Sequence, residues 1–240
     1  MILTVHQPNY WPYAGLIGKI MLGDKFIYLT KVQFEKTSWQ NRNRLRTPDG
    51  WTYFTVPVFS SGKHEQKIYE VEIDNKTNWK EKHRKTIELN YFKAPYYKDY
   101  KDFITDLYSK NWLSLCELDI YITNFIFNDI NISTQILYDK DYNFSGSKTE
   151  LLVNMCKQNN CDTYYSNKGS QAYVNIDSFI NNNLKHYFIE YIGVEYPQTY
   201  KGFENYLSIL DLLMNCGKVA TKNILANRNN YKISELNKPL

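Results

Sequence analysis

No hydrophobic run in this chain approaches the ~20 residues that a membrane-spanning helix needs. The apolar stretch Ile2–Val5 is too short, and too poor in flanking basic residues, to read as a secretory signal. Cysteine is scarce. Cys116, Cys156, Cys161 and Cys216 show no metal-ligand spacing and no C-x-x-C pair. The histidines stand apart at positions 6, 64, 83 and 186, so no zinc site is expected, and the cysteines read as reduced thiols of a cytoplasmic protein. Strong charge is missing too. The net charge is +4 and only residues 42–46 approach a basic stripe, which argues against DNA as a partner and makes sequence-specific RNA binding a poorer reading. There is no internal repeat and no low-complexity segment. Gly146-Ser147-Lys148-Thr149 has the wrong order for a phosphate-binding P-loop and reads as a helix cap. No ATP-grasp signature is visible, and no cofactor is implied.

What is present is concentrated at the start. Ile2–Val5 reads as a β-strand that runs through His6-Gln7-Pro8-Asn9-Tyr10-Trp11-Pro12-Tyr13-Ala14-Gly15 into a helix carrying Leu16, Ile17, Lys19, Ile20 and Met21. A strand opening into a helix start is where α/β proteins place ligands, because first-turn N–H groups and the helix dipole favour an anion there. Pro12 is expected at the first helical position. Phe26–Leu29 then returns as a second, parallel strand, a βαβ beginning. A polar loop is expected over 35–50. Alternating strands are expected over Thr52–Val58 and Ile68–Ile73, an antiparallel excursion over about 51–74.

The period then changes. Trp79, His83, Ile87 and Tyr91 recur every four residues, placing them on one helix face behind Asn78. Tyr97–Tyr108 and Leu113–Asn128 read as two more helices, so about 78–130 forms a helical insert. The α/β rhythm resumes with a strand at Thr134–Tyr138 and a capping box Ser147-x-x-Glu150 before the helix Leu151–Lys157. A strand at Thr163–Ser166, a short helix at Asp177–Ile180 and a strand at Tyr187–Ile192 follow. A last helix, Tyr206–Asn215, is stopped by Gly217. The expected fold is therefore α/β: a mostly parallel, Rossmann-like sheet flanked by helices, in one domain. Its body spans about 1–77 and 131–217, with a polar tail over 218–240.

Several residues could carry chemistry. His6 follows the first strand, where a histidine can act as a general base or serve only as a hydrogen-bonded structural group. Gln7, Asn9, Tyr10 and Lys19 surround it. In Ser38-Trp39-Gln40-Asn41-Arg42-Asn43-Arg44, the arginine forks suit phosphate and Trp39 suits stacking, with Gln40 and Asn43 as polar contacts. The plainer account is an exposed polar loop. His83 is either packed or reaches the cleft. Ser208, Asp211 and Asn215 form a polar stripe on an otherwise apolar helix. Either that stripe faces solvent, or Asp211 is paired, with His6, Arg42, Arg44 or a substrate amine as the expected partner, since an unpaired buried carboxylate costs several kcal/mol.

The run His6-Gln7-Pro8-Asn9-Tyr10 with Gly15 and Lys19-Ile20 resembles the opening of the WbqC-like family. The resemblance continues through Gln33-Phe34, Ser38 to Arg44, Thr55-Val56-Pro57-Val58, Trp79 with His83, and Tyr91 to Tyr96. It returns in Tyr206 to Leu213 and Gly217. That family is associated with bacterial O-antigen and lipopolysaccharide gene clusters. The resemblance implies a glycine or other aminoacyl transferase forming an amide on a nucleotide-linked deoxyamino sugar. The acyl donor would be a carrier-protein thioester or an aminoacyl-tRNA. His6, His83 and Asp211 would then be the catalytic candidates. Gln7, Asn9, Tyr10, Lys19, Trp39, Gln40, Arg42, Asn43, Arg44 and Ser208 would bind substrate, with no metal. Two other readings remain open: a non-catalytic nucleotide-sugar-binding or scaffold protein, and a nucleotidylyltransferase-like enzyme, although the H-x-G-H pair of the latter is absent.

Overall fold

In the computed structural model, residues 1–63 and 65–235 are described; His64 and residues 236–240 lie outside them. The elements run β1 (Ile2–His6), α1 (Ala14–Met21), β2 (Lys25–Tyr28), β3 (Arg42–Thr47), β4 (Gly50–Thr55), α2 (Trp79–Tyr91), α3 (Tyr97–Ser109) and α4 (Leu115–Asp129). They continue with β5 (Gln135–Tyr138), α5 (Lys148–Gln158), β6 (Thr163–Asn167), α6 (Ile176–Ile180), β7 (Lys185–Tyr191), α7 (Ile209–Ala226) and β8 (Tyr231–Ser234).

The main sheet has the order β5-β2-β1-β6-β7-β8. Every pairing in it is parallel except β7 with β8. Strands buried on both faces need apolar side chains pointing both ways, and these have them. Leu3, Val5 and Ile27 meet Val153, Met155 and Cys156 of α5 and Phe179 of α6 on one face. Phe26 and Tyr28 meet Leu16, Ile17 and Ile20 of α1 and the apolar side of α7 on the other. Helices α2, α3 and α4 contribute to that second cluster, so the inserted helices share a core with α1 and α7.

From β1 the chain moves outward through β2 to β5, then crosses back to β6 and moves the other way. The order reverses between β1 and β6. In an open α/β sheet, such a reversal leaves a crevice outside the carboxyl ends of the strands.

Several expectations need correction. The stretch expected as a polar loop over 35–50 contains β3, which pairs antiparallel with β4 from Arg42↔Thr55 to Thr47↔Gly50. The β excursion is this separate hairpin over 42–55. Ile68–Ile73 is not a strand; a 3₁₀ turn covers Ile68–Glu70 and only isolated bridges flank it. Helix α1 begins at Ala14 with Tyr13 as its cap, so Pro12 lies before the helix. Ser147 caps α5 by position, but its side chain accepts no capping bond. Gly217 (φ +72°) kinks α7 without ending it, because Tyr96 packs where a Cβ would stand. The segment expected as a tail carries the helix on to Ala226 and then forms β8. Among the described residues no helix is long and apolar enough to cross a membrane.

Candidate functional site

His6 is the last residue of β1, and the loop from Gln7 to Tyr13 turns over the carboxyl edge of the sheet. Several parts of the structure hold that loop. Ahead of the hairpin, Trp39 O accepts from Tyr10 N–H at 3.1 Å. From the hairpin, the Asn43 side chain donates to the carbonyls of Tyr10 (3.2 Å) and Trp11 (2.6 Å). From α7, the Ile209 N–H donates to Pro12 O at 2.8 Å. From the inserted helices, Tyr108 Oη lies 2.6 Å from Tyr10 Oη and accepts from Trp11 Nε1 at 3.1 Å. His83 Nδ1 completes this network, 2.9 Å from Tyr10 Oη. Trp11 holds a positive φ of 43°, a position that persists only where packing over-determines it.

His6 Nδ1 is 2.9 Å from the carbonyl of Gln7. A carbonyl only accepts, so Nδ1 carries the proton and Nε2 keeps its lone pair. Burial, and then the neighbouring Lys19, push the imidazole down to about 3. It is therefore neutral throughout the physiological range.

Two cavities open on His6. One, about 500 Å³, is lined by His6, Gln7, Lys19, Lys148, Thr149, Ser166, Asn167 and Tyr173, with Leu29, Leu151 and Leu152 as its apolar wall. The other, about 380 Å³, is lined by His6, Asn9, Asn43, Asn167 and Glu190 with the rings of Tyr13, Trp39, Tyr191 and Tyr206. They share His6 and Asn167. Strand register explains this: Thr4 lies beside Tyr165, and two residues further on are His6 and Asn167. Both cavities thus sit where the strand order reverses.

The larger cavity is cationic at one end. Lys19, 2% exposed, reaches from α1 to donate to Val5 O at 3.2 Å. Burial pushes its ammonium down to about 7. Lys148 and Thr149 begin α5, whose first-turn N–H groups take no bond from the Ser147 side chain. An anion placed there meets a helix N-terminus and two lysines.

The other expected residues divide. Gln7, Asn9, Lys19, Trp39 and Asn43 line the cavities. Gln40 stands behind them, 1% exposed, donating to Gln7 Oε1 at 2.9 Å. Tyr10 is fully buried beneath the loop. His83, 3% exposed and pushed down to about 3 chiefly by burial, is packed among Trp79, Tyr10 and Phe54 and lines neither cavity. Ser208 caps α7, its hydroxyl accepting from Leu210 N–H. Asp211 is fully buried, but its expected partners are not those found. Tyr196 Oη (2.8 Å) and Gln198 Nε2 (2.9 Å) donate to its Oδ2, and it lines neither cavity. Arg42 and Arg44 line neither cavity and stand on the outer face of the hairpin.

Several lining residues were not expected. Asn167 and Ser166 end β6, and Ser166 Oγ lies 3.0 Å from Nε2 of the buried His186. Their signal was position alone: the carboxyl end of a strand next to β1. Lys148 sat inside the stretch read as a helix cap. Among the described residues no group of three or more His, Cys, Asp or Glu is placed to hold a metal ion.

Comparison with known proteins agrees with the motifs. The model of the WbqC-like protein family matches residues 7–223. The uncharacterized protein Rv1507c of Mycobacterium tuberculosis (strain ATCC 25618 / H37Rv) is 34% identical over 220 residues, covering 91% of this chain and 95% of that protein. No solved structure matches. With the family's model covering the loop after His6, the hairpin, the inserted helices and the first part of α7, this chain belongs to the WbqC-like protein family.

Proposed function

We propose that the protein is an aminoacyl transferase, with glycine the first donor to test, that forms an amide on the amino group of a nucleotide-linked deoxyamino sugar for O-antigen or related polysaccharide. The reaction type comes from the family resemblance. The observation that carries the assignment to this site is the meeting of two cavities at one neutral histidine. A two-substrate transfer needs two chambers and a proton acceptor between them.

In this reading the nucleotide diphosphate occupies the larger cavity, with Lys19, Lys148 and the start of α5 against its phosphates. The acyl end of the donor, a carrier-protein thioester or an aminoacyl-tRNA ester, enters the aromatic cavity. The sugar amine attacks the acyl carbonyl and a C–N bond forms. The amine proton passes to His6 Nε2, the bond to the thiol or ribose oxygen breaks, and that leaving group departs with the proton. Asp211 and His83 act at a distance, by fixing α7 and the loop after β1.

A second reading is favoured by one observation. A histidine held at about 3 is a weak base, which suits a non-catalytic nucleotide-sugar-binding protein of the same pathway. Turnover separates the two. Candidate amino-sugar nucleotides are supplied with glycyl carrier protein and, separately, with glycyl-tRNA, and products are followed by mass. Amide formation is expected, falling by roughly 10²- to 10⁴-fold in His6→Asn while the nucleotide-sugar still binds. Tight binding with no amide across a broad panel favours the binding protein. An undiminished rate in His6→Asn removes His6 as the base.

A further inference from the structure

The outer face of the β3–β4 hairpin carries a second set of groups that the cavities do not use. Arg42, Arg44 and Arg46 alternate on β3, so all three stand on one face, opposite Thr55, Tyr53 and Trp51 of β4. The three arginines are used differently. Arg46 is 2% exposed and its guanidinium is spent on protein acceptors: Thr47 O, Gly50 O, Lys201 O and Gln198 Oε1. Among the described residues Arg42 and Arg44 have no carboxylate partner, and their Nε atoms are shielded from solvent with no acceptor. Native proteins rarely leave buried donors unmatched without a reason.

Both guanidiniums are instead stacked on rings. Arg42 lies 4.4 Å from the Tyr53 centroid. Arg44 lies 4.1 Å from Trp51 and 5.3 Å from Trp39. Stacking holds the planar fork in place and, among the described residues, leaves its terminal N–H groups without a protein acceptor and so free for phosphate. The rings are open to solvent, with Trp39 47%, Trp51 38% and Tyr53 39% exposed. They form a continuous row, with Trp51 and Tyr53 4.9 Å apart and Trp39 6.3 Å from Tyr53. Trp39 also lines the aromatic cavity, so the row leads to His6.

We infer that this face binds a short unpaired RNA end, its phosphates on Arg42 and Arg44 and its bases on Trp51, Tyr53 and Trp39, with the terminal nucleotide directed at the cavity beyond Trp39. Alternation spaces the two arginines about 6.6 Å apart along the strand, so they address two separate anions. Three rings in a row exceed what one base can cover. Stacking platforms joined to cationic side chains are how proteins hold single strands without reading a sequence. The modest net charge, +4, confines the footprint to this face and offers little to a duplex. The inference rests on the transferase reading in one respect: it selects the RNA-linked donor over the carrier-protein thioester.

The test is binding of a fluorescently labelled single-stranded oligoribonucleotide ending in CCA, titrated at several salt concentrations, alongside a duplex of the same length and a nucleotide-sugar. Wild-type protein should bind the single strand in preference to the duplex. Arg42→Ala with Arg44→Ala should weaken it at least tenfold and reduce the log–log salt slope by about 1.4, the value for two single-strand phosphate contacts. Trp51→Leu, which leaves both charges in place, should weaken binding with an unchanged salt slope. Nucleotide-sugar affinity should be unaffected in every variant. Unchanged single-strand affinity in the arginine and Trp51 variants overturns the inference, and so does a fall in nucleotide-sugar affinity instead. Amide formation from a thioester at a rate insensitive to these variants also overturns it, while leaving the transferase reading intact.

Discussion

If a nucleotide diphosphate occupies the larger cavity as proposed, Lys19 ties its affinity to pH. Its ammonium is buried, bonded to one carbonyl, and pushed from 10.5 down to about 7. A diphosphate bound in the larger cavity supplies the countercharge that burial denies, and returns the amine towards its ordinary value. Affinity then follows the protonated fraction of the free protein. It is full below pH 7 and is lost as pH rises through 7, approaching tenfold per pH unit. Between pH 6 and pH 9 the loss is on the order of 10²-fold, or about 3 kcal/mol. At pH 8 binding should take up roughly 0.9 proton per ligand.

The assay is calorimetry in buffers of differing ionisation enthalpy. The ligand is a nucleoside diphosphate sugar without an amino group, so that neither its phosphodiester nor its sugar titrates in this window. Lys19→Met should bind weakly with no pH dependence. Lys148→Ala should weaken binding at every pH and keep the slope. Constant wild-type affinity from pH 6 to pH 9, or a slope that survives in Lys19→Met, refutes the placement of the phosphates against Lys19.

Two further predictions concern stability. Asp119 on α4 is fully buried and, among the described residues, neither carboxylate oxygen has a partner, so burial pushes it well above the usual carboxylate range. Its contribution is therefore greatest below pH 4 and is lost as pH rises; Asp119→Leu should raise the melting temperature at pH 7 and flatten the decline from pH 4 upwards, by about 1–3 kcal/mol, and a lowered melting temperature at pH 7 would show that the carboxylate has a role. Gly18 lies where α1 meets Tyr231 of β8, and an added Cβ would collide with the Tyr231 hydroxyl; Gly18→Ala should cost about 1–3 kcal/mol in urea unfolding and speed amide exchange in β8, and unchanged exchange would refute the docking of β8 through that contact.

The sheet was legible because parallel strands carry apolar residues on both faces, and β1, β2, β5, β6 and β7 do. The face of α2 was legible because bulky side chains recurring every four residues line up along a helix and along no loop. β3 was not, because Arg42, Asn43, Arg44 and Arg46 look like a loop until one sees their two faces. Asn43 bonds inward to the loop after β1, and the arginines stack outward on rings supplied by β4 and by Trp39. β8 is four residues long and is specified by the free edge of β7. Asp211 announced that it needed partners, but these come from Tyr196 and Gln198, in a stretch without periodicity and so without a signal. The cavities were least legible of all. They depend on the register that brings His6 next to Asn167, and no local pattern encodes a register between distant strands.

The inserted helices have a further consequence for how the site works. They line neither of the cavities at His6, yet His83 of α2 and Tyr108 of α3 meet beneath the loop after β1 through Tyr10 and Trp11. Removing one partner from such a network leaves the others buried and unmatched, which costs more than the bond was worth. The loop is therefore fixed from below by the insert, from the side by Asn43 of the hairpin, and at its end by Ile209 of α7. A loop held at several points keeps His6 Nε2 and its fixed tautomer between the cavities whether or not either is filled. In the transferase reading proposed above, both ligands would then meet a preformed acceptor, and the ordering cost would fall on folding instead of on binding.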